Sequence, residues 1–506
     1  MTSSIAFPVP CLRPIVLAIS GVLLTACMSV GPNYSRPPSV NIGDGWAQPT
    51  VSAQSPQNLS KWWQSLGDPV LSQLVTQAMA DNLDIRQAMA RIQEARAQRD
   101  RASSGAMPTV GVSAGTTRHE QSENGPLPIR NIPGVERQQT IYEAGFDAAW
   151  ELDLFGRTRR AVESAEASIQ ATQADADGIR MSIAAEVARS YFSMRGAQRE
   201  LTVLEASVAT LQKSYALTQR RYAVGDVAMA DVDAARVQLS AATAGLPALQ
   251  ARMRASALSI AVLLGANPET GLALFNTQTP LHEARLSPIP VGERADILRR
   301  RPDVIAAERR LAARTAEIGI AMAELFPKLS ISAGAGFQSL EFDSLLNSAS
   351  RSFLVKPVVS WRLFDGGRVR AEIHASEARE QQAALGYEKA VLASLADAER
   401  ALSDYRFGLD TLALRATARD AARSRHSRAK VRFAAGDSAL TELLVQEREL
   451  YDAESAYVRA YTTASTDLVA LFKALGGGWE GQELISKQSV EVDEDTTLVP
   501  VVTGVR

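Results

Sequence analysis

Cys27 is the residue whose surroundings in the sequence predict the most specific chemistry. Arg13 and the apolar run 15–24 precede it, and Leu24-Thr25-Ala26-Cys27 has the form of a bacterial lipobox. Small residues before the cysteine admit the signal peptidase, while the thiol takes a diacylglycerol and the freed amine a further acyl chain. We therefore expect 1–26 to be a lipoprotein signal peptide and Cys27 to carry the lipid. The alternative is an ordinary signal peptide with a chance cysteine.

The other residue types that could do chemistry are scattered. Cys11 lies in the signal segment, so Cys27 is the only cysteine of the expected mature chain, which excludes a disulfide and a cysteine metal site. The four histidines have no carboxylate or cysteine at ligand spacing: His119, His282, His374 and His426. No glycine-rich loop ends in Gly-Lys-Ser/Thr. We therefore expect no enzyme, no metal site and no cofactor beyond the covalent lipid.

Carboxylates cluster after a turn that is written twice. Arg221-Tyr222-Ala223-Val224-Gly225-Asp226 precedes Asp231 and Asp233, and Arg432-Phe433-Ala434-Ala435-Gly436-Asp437 precedes Glu442 and Glu447. If several copies of the chain surround an axis, each inward carboxylate becomes a ring that narrows a pore and favours cations. The alternative is that these acids lie on a solvated face or pair along their helices with nearby arginines: Arg221, Arg236, Arg432 and Arg448.

Very long helices must position these turns. The segment 157–224 has no proline, and its larger apolar residues recur at steps of three, four and seven, as in a coiled-coil seam. At ~1.5 Å per residue, this helix is on the order of 100 Å long. A second such helix spans 368–435. After each turn a return helix follows, at 228–264 and 439–475, and Pro247 is expected to kink the first of them.

Two predicted β-hairpins, 108–154 and 327–365, precede the long helices. In the first, Val110, Val112 and Ala114 alternate with small or polar residues, as in a strand with one apolar face. Apolar residues on one face and lone charges on the other are typical of membrane barrel strands. Pro357 fits this pattern poorly because proline removes a ladder donor. We expect the hairpin loops at 117–139 and 340–350 to be exposed.

The chain is an internal duplication. Trp150 and Trp361, like Gly225 and Gly436, are 211 residues apart, whereas Pro108 and Pro327 are 219 apart. The difference places a longer loop in the first hairpin. After the signal peptide, the sequence therefore divides into five predicted parts: a lipid-anchored segment 27–66 that is expected to be loop, a first repeat 67–266, a linker 267–293, a second repeat 294–476 and a tail 477–506. One helix is expected to lead into each hairpin.

The overall composition and charge limit the kinds of binding partner that we expect. The 506 residues are 46% hydrophobic and 22% charged, with a formal net charge of −2. A near-neutral chain gives no reason to expect nucleic-acid binding, which requires a clustered basic surface. No stretch is apolar for long enough to predict a spanning helix.

Short motifs recur along the chain in a fixed order: Cys27 with Gly31-Pro32-Asn33-Tyr34, Trp62-Trp63 with Asp68-Pro69, Asn82-Leu83-Asp84, Trp150-Glu151-Leu152-Asp153-Leu154-Phe155-Gly156, Arg301-Pro302-Asp303, Phe326-Pro327, Leu363-Phe364-Asp365-Gly366-Gly367 and Gly476-Gly477-Gly478-Trp479. Taken together, these motifs resemble the TolC-like outer-membrane factors of tripartite efflux pumps, and more closely their OprM/NodT lipoprotein branch. The resemblance covers the whole expected mature chain.

This resemblance implies an α+β membrane protein with an internal two-fold repeat. A homotrimer would form a twelve-stranded outer-membrane β-barrel continuous with a long periplasmic α-helical barrel. The implied partners are a periplasmic adaptor, an inner-membrane pump of the resistance-nodulation-division type and outer-membrane lipid. The hairpin loops would face the cell exterior, and the protein would conduct substrates passively.

The resemblance also implies roles for the turns. Adaptor contact is expected at both tips: Arg221, Tyr222, Gly225, Asp226, Arg432, Phe433, Gly436 and Asp437. Relatives are expected to carry a constricting acid about where Val445 stands, so this chain departs from the family there. The candidate gate therefore comprises Asp231, Thr441, Glu442 and Val445. An envelope-anchored structural coiled-coil lipoprotein is the alternative, although it would not explain the two hairpins.

Overall fold

The computed structural model describes residues 29–36, 40–43, 45–47, 59–122, 136–273 and 286–479. The predicted signal peptide and Cys27 lie outside the described residues. So do His282, most of the first hairpin loop and the tail from residue 480.

Two copies of one helix and strand pattern form the chain. The first repeat contains α1 (Pro69–Asp81), α2 (Leu83–Ser104), β1 (Thr109–Glu120), β2 (Gln138–Leu152), α3 (Arg157–Ala223) and α4 (Met229–Leu263). After α5 (Pro268–Ala273), the second contains α6 (Arg294–Arg300), α7 (Pro302–Ala323), β3 (Lys328–Ser339), β4 (Arg351–Ser360), α8 (Arg368–Ala434) and α9 (Leu440–Ala474). Adding 219 to the bounds of α2 and β1 gives those of α7 and β3, and adding 211 to α3 and α4 gives α8 and α9. The predicted mixture of helix and sheet is confirmed.

The long helix α3 is the centre of the helical part. It packs against α2 and α7 along its first half and against α4 and α9 along its second half. Ile183, Val187 and Tyr191 are buried on it, as the seam pattern predicts. The other long helix, α8, contacts only α7 and α9 extensively. Far fewer of its residues are buried than on α3, so one flank of α8 has no neighbour within the described chain.

The four strands form one antiparallel sheet in the order β1-β2-β3-β4. Its central pairing joins the repeats and places Trp150 opposite Ile331 and Phe146 opposite Ala335. β1 continues to Glu120, three residues beyond the predicted start of the loop, because its ladder with β2 continues to the Glu120–Gln138 pair. Pro357 lies within β4, and β4 is an edge strand, where a missing ladder donor is tolerated.

The single helix predicted before the first hairpin is wrong, because Asn82 divides it into α1 and α2. The Asn82 side chain accepts from the amides of Asp84 and Ile85 at 2.9 and 3.1 Å and so caps α2. Its amide group also donates to the carbonyl of Leu263 at 2.9 Å. One side chain thus starts α2 and fixes the end of α4 beside it.

The corresponding break in the second repeat is made by Arg301, which ends α6 immediately before Pro302. Its guanidinium bonds Asp303 at 2.8 and 3.0 Å, Asp397 of α8 at 2.9 Å and the carbonyl of Ala474 at 3.2 Å. Proline at the first position of α7 disfavours a helical conformation at Arg301. The half-length helices therefore stack end to end through Asn82 and Arg301.

The N-terminal segment runs along the outside of the helices. The Val30 amide donates to the carbonyl of Phe155 at 3.1 Å, next to the start of α3. The side chain of Arg160 is only 3% exposed and bonds the carbonyls of Val30 and Gly31, each at 3.1 Å. Farther along, the Trp46 indole donates to the carbonyl of Gly292 at 2.8 Å. The described start of the chain is thereby held at the junction of sheet and helices.

The expectation of loop up to residue 66 is also wrong, since Leu59–Leu66 forms a 3₁₀ helix. The reason is burial: Trp62 is 1% exposed and stacks on Phe472 with ring centroids 5.0 Å apart. Burying an aromatic side chain of this size stabilises a fold by about 2–3 kcal/mol. The predicted linker contains α5, and 274–285 lies outside the described residues.

Arg301→Met is expected to lower the thermal unfolding midpoint of the helical circular dichroism signal. It removes a buried cation from the junction while leaving aspartates that reach solvent, so the cost should be about 2 kcal/mol. Arg299→Met, at an exposed position on α6, is the matched control. Equal midpoints for the two variants would contradict the junction role.

Candidate functional site at the helix tips

The first tip is a tight turn between α3 and α4. Gly225 has a φ of 79°, its amide donates to the carbonyl of Tyr222, and the Asp226 amide donates to that of Arg221, both at 2.9 Å. Glycine is favoured there because other residues rarely adopt a positive φ. The Arg221 guanidinium donates to the Asp226 carboxylate at 2.6 Å. This turn leaves Val224 80% exposed at the end of the molecule.

The second tip, between α8 and α9, repeats the backbone but not the ion pair. Gly436 has a φ of 80°, and its amide donates to the carbonyl of Phe433 at 3.0 Å. Arg432 donates to the Glu442 carboxylate at 3.0 Å and to the carbonyl of Asp437 at 3.3 Å. The arginine therefore reaches across the turn to α9 instead of remaining within the turn. Phe433 is 38% exposed beside it.

The candidate gate residues lie on the first turns of the return helices. The Asp231 carboxylate accepts from the amide of Ala228 at 3.0 Å and caps α4. Thr441 is half-buried and Glu442 exposed, while Val445 is 47% exposed one turn farther along α9. The structure brings the three α9 residues onto adjacent turns and places Asp231 at the matching position of the other tip.

The two return helices are connected near the tips. Arg448 of α9 donates to the side-chain oxygen of Gln238 on α4 at 3.3 Å. The Tyr451 hydroxyl donates to Glu447 at 3.1 Å. Burial first, and then the neighbouring Glu447 carboxylate, raise the pKa of Tyr451, so the phenol keeps its proton and remains a donor. The Tyr451 bond lies within α9, so it is the bond between Arg448 and Gln238 that connects the two return helices here.

Glu200 ties both return helices to α3 farther from the tips. Its carboxylate accepts from Arg459 of α9 at 2.5 Å and lies 3.6 Å from the guanidinium of Arg252 on α4. The Glu200 side chain is only 12% exposed, whereas the two arginines remain largely in solvent. Close to it, a Cβ at Gly196 would lie 2.2 Å from the hydroxyl of Thr462, so α3 and α9 approach closely here.

The sheet has one apolar face and one face of small and charged residues. Phe353 and Val359 belong to the apolar face with Val112, and each is exposed by more than half. On the other face, Gly145 and Gly336 oppose each other so closely that a Cβ on Gly336 would meet the Gly145 Cα at 2.6 Å. Large side chains are therefore excluded from the middle of the polar face.

The local pairs were predictable from charge spacing, and the pairs between distant helices were not. Three of the four arginines considered for local pairing do neutralise tip acids: Arg221 with Asp226, Arg236 with Asp233 and Arg432 with Glu442. Arg448 instead bonds Gln238. The contacts of Glu200 were missed because they join residues more than fifty positions apart, for which a single sequence carries no signal.

Among the described residues, no group of three or more potential metal-ligating side chains occurs, and His374 forms an exposed pair with Glu377 at 3.0 Å. None of the described helices combines the length and apolarity needed to cross a membrane.

Together, the two-repeat helices, the short sheet and the paired tips define a subunit of the outer-membrane channel class. The family model for "Outer membrane efflux protein" matches residues 74–266 and 294–477. The chain belongs to this family. Its members are channel and transport proteins rather than enzymes.

Individual relatives agree with this assignment. Outer membrane protein OprJ of Pseudomonas aeruginosa is 31% identical over 471 residues, covering 91% of this chain and 95% of the relative. Nodulation protein T of Rhizobium leguminosarum bv. viciae is 27% identical and covers 93% and 94%. The solved structure of the outer-membrane channel OprN matches with a TM-score of 0.78 and 35% identity, covering 89% of this chain and 99% of that chain. The resemblance found in the sequence is confirmed, and the protein is an outer-membrane efflux protein.

Glu200→Gln is expected to loosen the return helices without unfolding the chain, because it removes the charge shared by two arginines but keeps the side-chain volume. Hydrogen exchange of the α4 and α9 amides near the tips should accelerate several-fold. The charge-swapped variant Glu200→Arg with Arg459→Glu should restore protection in α9 but not in α4, because the new guanidinium would repel Arg252. Unchanged exchange in Glu200→Gln would show that Glu200 does not hold these helices.

Proposed function

We propose that this chain is the exit duct of a tripartite efflux system, assembled as a homotrimer. The main support for this proposal is that the sheet and the layer of helices both end in edges without a neighbour. β1 and β4 each have a neighbour on one side only, and α8 presents Leu385, Leu392 and Leu414 to solvent, each at least half exposed. Three copies would close the four strands into a twelve-stranded barrel and cover the exposed flank of α8.

In this assembly the two faces of the sheet have different environments. The apolar face with Val112, Phe146 and Trp150 would contact lipid, as in other outer-membrane strands. The face with Gly145, Asp147 and Gly336 would line the lumen, where small residues keep the passage wide. The helices would extend this lumen into the periplasm, with the tips pointing away from the membrane.

The exposed side chains at the tips indicate what kind of partner the protein binds there. Exposed Tyr222, Val224 and Met229 on the first tip and Phe433 on the second offer apolar contacts next to paired charges, which suits a protein partner. We propose a periplasmic adaptor at this surface and an inner-membrane pump of the resistance-nodulation-division type beyond it. The pump would supply energy and select substrates, since the duct conducts passively.

The lipid anchor fits the geometry of the N-terminal segment. Cys27 precedes Ser29 by two residues, and Ser29 lies against Gly156, where the sheet passes into α3. A Cβ at Gly156 would meet the Ser29 Cα at 2.7 Å, so this contact needs glycine. An acyl chain on Cys27 would thus enter the periplasmic leaflet of the outer membrane.

Cys27→Ala is expected to weaken membrane anchoring while leaving the helical circular dichroism signal unchanged, because the proposed barrel also holds the protein in the bilayer. Mass spectrometry of the parent protein should find an acylated Cys27 as the first residue. An unmodified N-terminal peptide that retains residues before Cys27 would refute the lipid site.

Replacing Thr441, Glu442 and Val445 together by alanine is expected to raise single-channel conductance severalfold in planar bilayers. The substitution removes the proposed constriction and also frees Arg432 from its pair with Glu442. Two controls separate these effects: Glu442→Gln alone, and Thr417→Ala on α8, whose hydroxyl bonds only its own helix at 3.0 Å. Unchanged conductance in the triple variant would exclude these residues as the gate.

A further inference from the structure

Two tryptophans mark the end of the sheet that lies next to the helices. Trp150 and Trp361 occupy equivalent positions in the two repeats, and each is exposed by more than a third. Their indole nitrogens donate to the carbonyls of Ala106 and Leu325 at 2.9 and 3.0 Å. A tryptophan whose N–H group is bonded while its apolar ring stays exposed is typical of a membrane–water boundary. In the proposed barrel, this end of the sheet is therefore the periplasmic limit of the lipid-facing surface.

The apolar face of the sheet has a second limit at Tyr142, toward the hairpin loops. β1 and β2 continue beyond it, but their side chains on the same face become polar, with Arg118 opposite Thr140 and Glu120 opposite Gln138. Side chains at every second position share a face, so these four belong with Tyr142. Tyr142 is therefore the last large apolar side chain that these two strands place on this face.

The strands alone make this apolar face shorter than a membrane requires. Trp150 and Tyr142 are separated by eight residues. At ~3.4 Å per residue, eight residues extend about 27 Å along a strand. Tilting the strand by ~40° reduces the height to roughly 20 Å, whereas the apolar band of outer-membrane barrels is ~25 Å tall. Further apolar surface is therefore needed beyond Tyr142.

The loop between β3 and β4 supplies that surface. β3 ends at Ser339, directly opposite Tyr142. The Phe342 ring then packs edge-on against the Tyr142 ring, with centroids 5.5 Å apart and an interplanar angle of 69°. Phe342 is 73% exposed, and Leu340 and Leu346 are 58% and 75% exposed. Because Tyr142 belongs to the apolar face, the loop leans toward that side of the sheet and away from the face proposed to line the lumen.

Hydrogen bonds within the loop fix its shape. The Ser344 hydroxyl donates to the carbonyl of Glu341 at 3.1 Å and lies 2.6 Å from the hydroxyl of Ser339. The Ser344 carbonyl accepts from the Ser350 hydroxyl at 2.7 Å and from the Asn347 amide at 3.1 Å. Polar groups that are bonded within the loop cost less to bring against acyl chains than unpaired ones. The loop can therefore hold its apolar side chains against lipid.

The polar side chains of the loop suit a position at the membrane surface. Glu341 and Asp343 flank Phe342, and both are exposed, as is Asn347 next to Leu346. Apolar side chains interleaved with charged ones fit the boundary between acyl chains and headgroups better than the middle of the hydrocarbon. The loop thus has the composition of an interfacial element.

We propose that the loop 340–350 binds the outer leaflet of the outer membrane and inserts Leu340, Phe342 and Leu346 among its acyl chains. This inference rests on the proposed barrel and names the partner of the barrel's outer rim. The loop extends the apolar band beyond Tyr142. It also lies beside the mouth of the duct instead of covering it, so it leaves the exit open.

Spin labelling of the full-length protein in vesicles of phosphatidylethanolamine and phosphatidylglycerol tests this placement. Nitroxides are attached at Phe342→Cys, at Leu346→Cys and, as the matched control on the same loop, at Asn347→Cys. The parent chain, treated in parallel, gives the background labelling. Oxygen concentrates in hydrocarbon and a nickel chelate remains in water, so the ratio of their collision rates reports where each label lies. We expect this ratio to be several-fold higher at positions 342 and 346 than at 347.

A fourth label separates this inference from the proposed function. Phe146→Cys lies on the apolar face of the sheet itself and should be reached mainly by oxygen. If that label is in lipid while those at 342 and 346 are reached mainly by the nickel chelate, the loop is a free surface in water, open to a protein partner, and the lipid contact is refuted. Equal ratios at 342, 346 and 347 would also refute it. A Phe146→Cys label that lies in water would refute the lipid-facing sheet and, with it, the barrel.

Discussion

Unpaired backbone at the edges of the sheet is the constraint on which the rest of the structure depends. Each N–H or C=O group left without a partner in hydrocarbon costs several kcal/mol, so a four-stranded sheet cannot face lipid alone. The layer of helices also has an exposed edge. Its cost is smaller, because the exposed leucines of α8 would be stabilised by a neighbour but can remain in water. In the proposed trimer one neighbouring copy would cover both edges, because the order of the strands, β1-β2-β3-β4, matches the order of the helices that precede or follow them, α2, α3, α7 and α8.

The duplication explains how so long a structure is held together. The half-length helices are stacked by Asn82 and Arg301, and α3 runs unbroken past one of these junctions. Glu200 ties both return helices to α3, and the bond between Gln238 and Arg448 joins the return helices nearer the tips. A buried apolar cluster around Trp62 and Val187 lies near the middle of the helices, whereas the ion pairs at the tips are exposed to solvent.

The order and lengths of the long helices and the positions of the turns could be predicted from the sequence. The contacts between helices could not. Proline-free heptad spacing gave α3 and α8, and the repeated glycine turn gave both tips, because these features depend on local conformation. Asn82 was missed as a helix break since its cap acts together with the Leu263 carbonyl, 181 residues away. The tip acids were placed on the correct turns, but their spacing could not show that Glu200 serves both return helices. The spacing of apolar residues along a helix predicts which of them are buried. It does not predict which other helix buries them.

In the proposed assembly, copies of this chain close each other's open edges. Native mass spectrometry of the full-length protein, extracted from outer membranes in a mild detergent, measures this directly. We expect a single dominant species with the mass of three chains. A predominantly monomeric protein that remains folded and membrane-bound would contradict it.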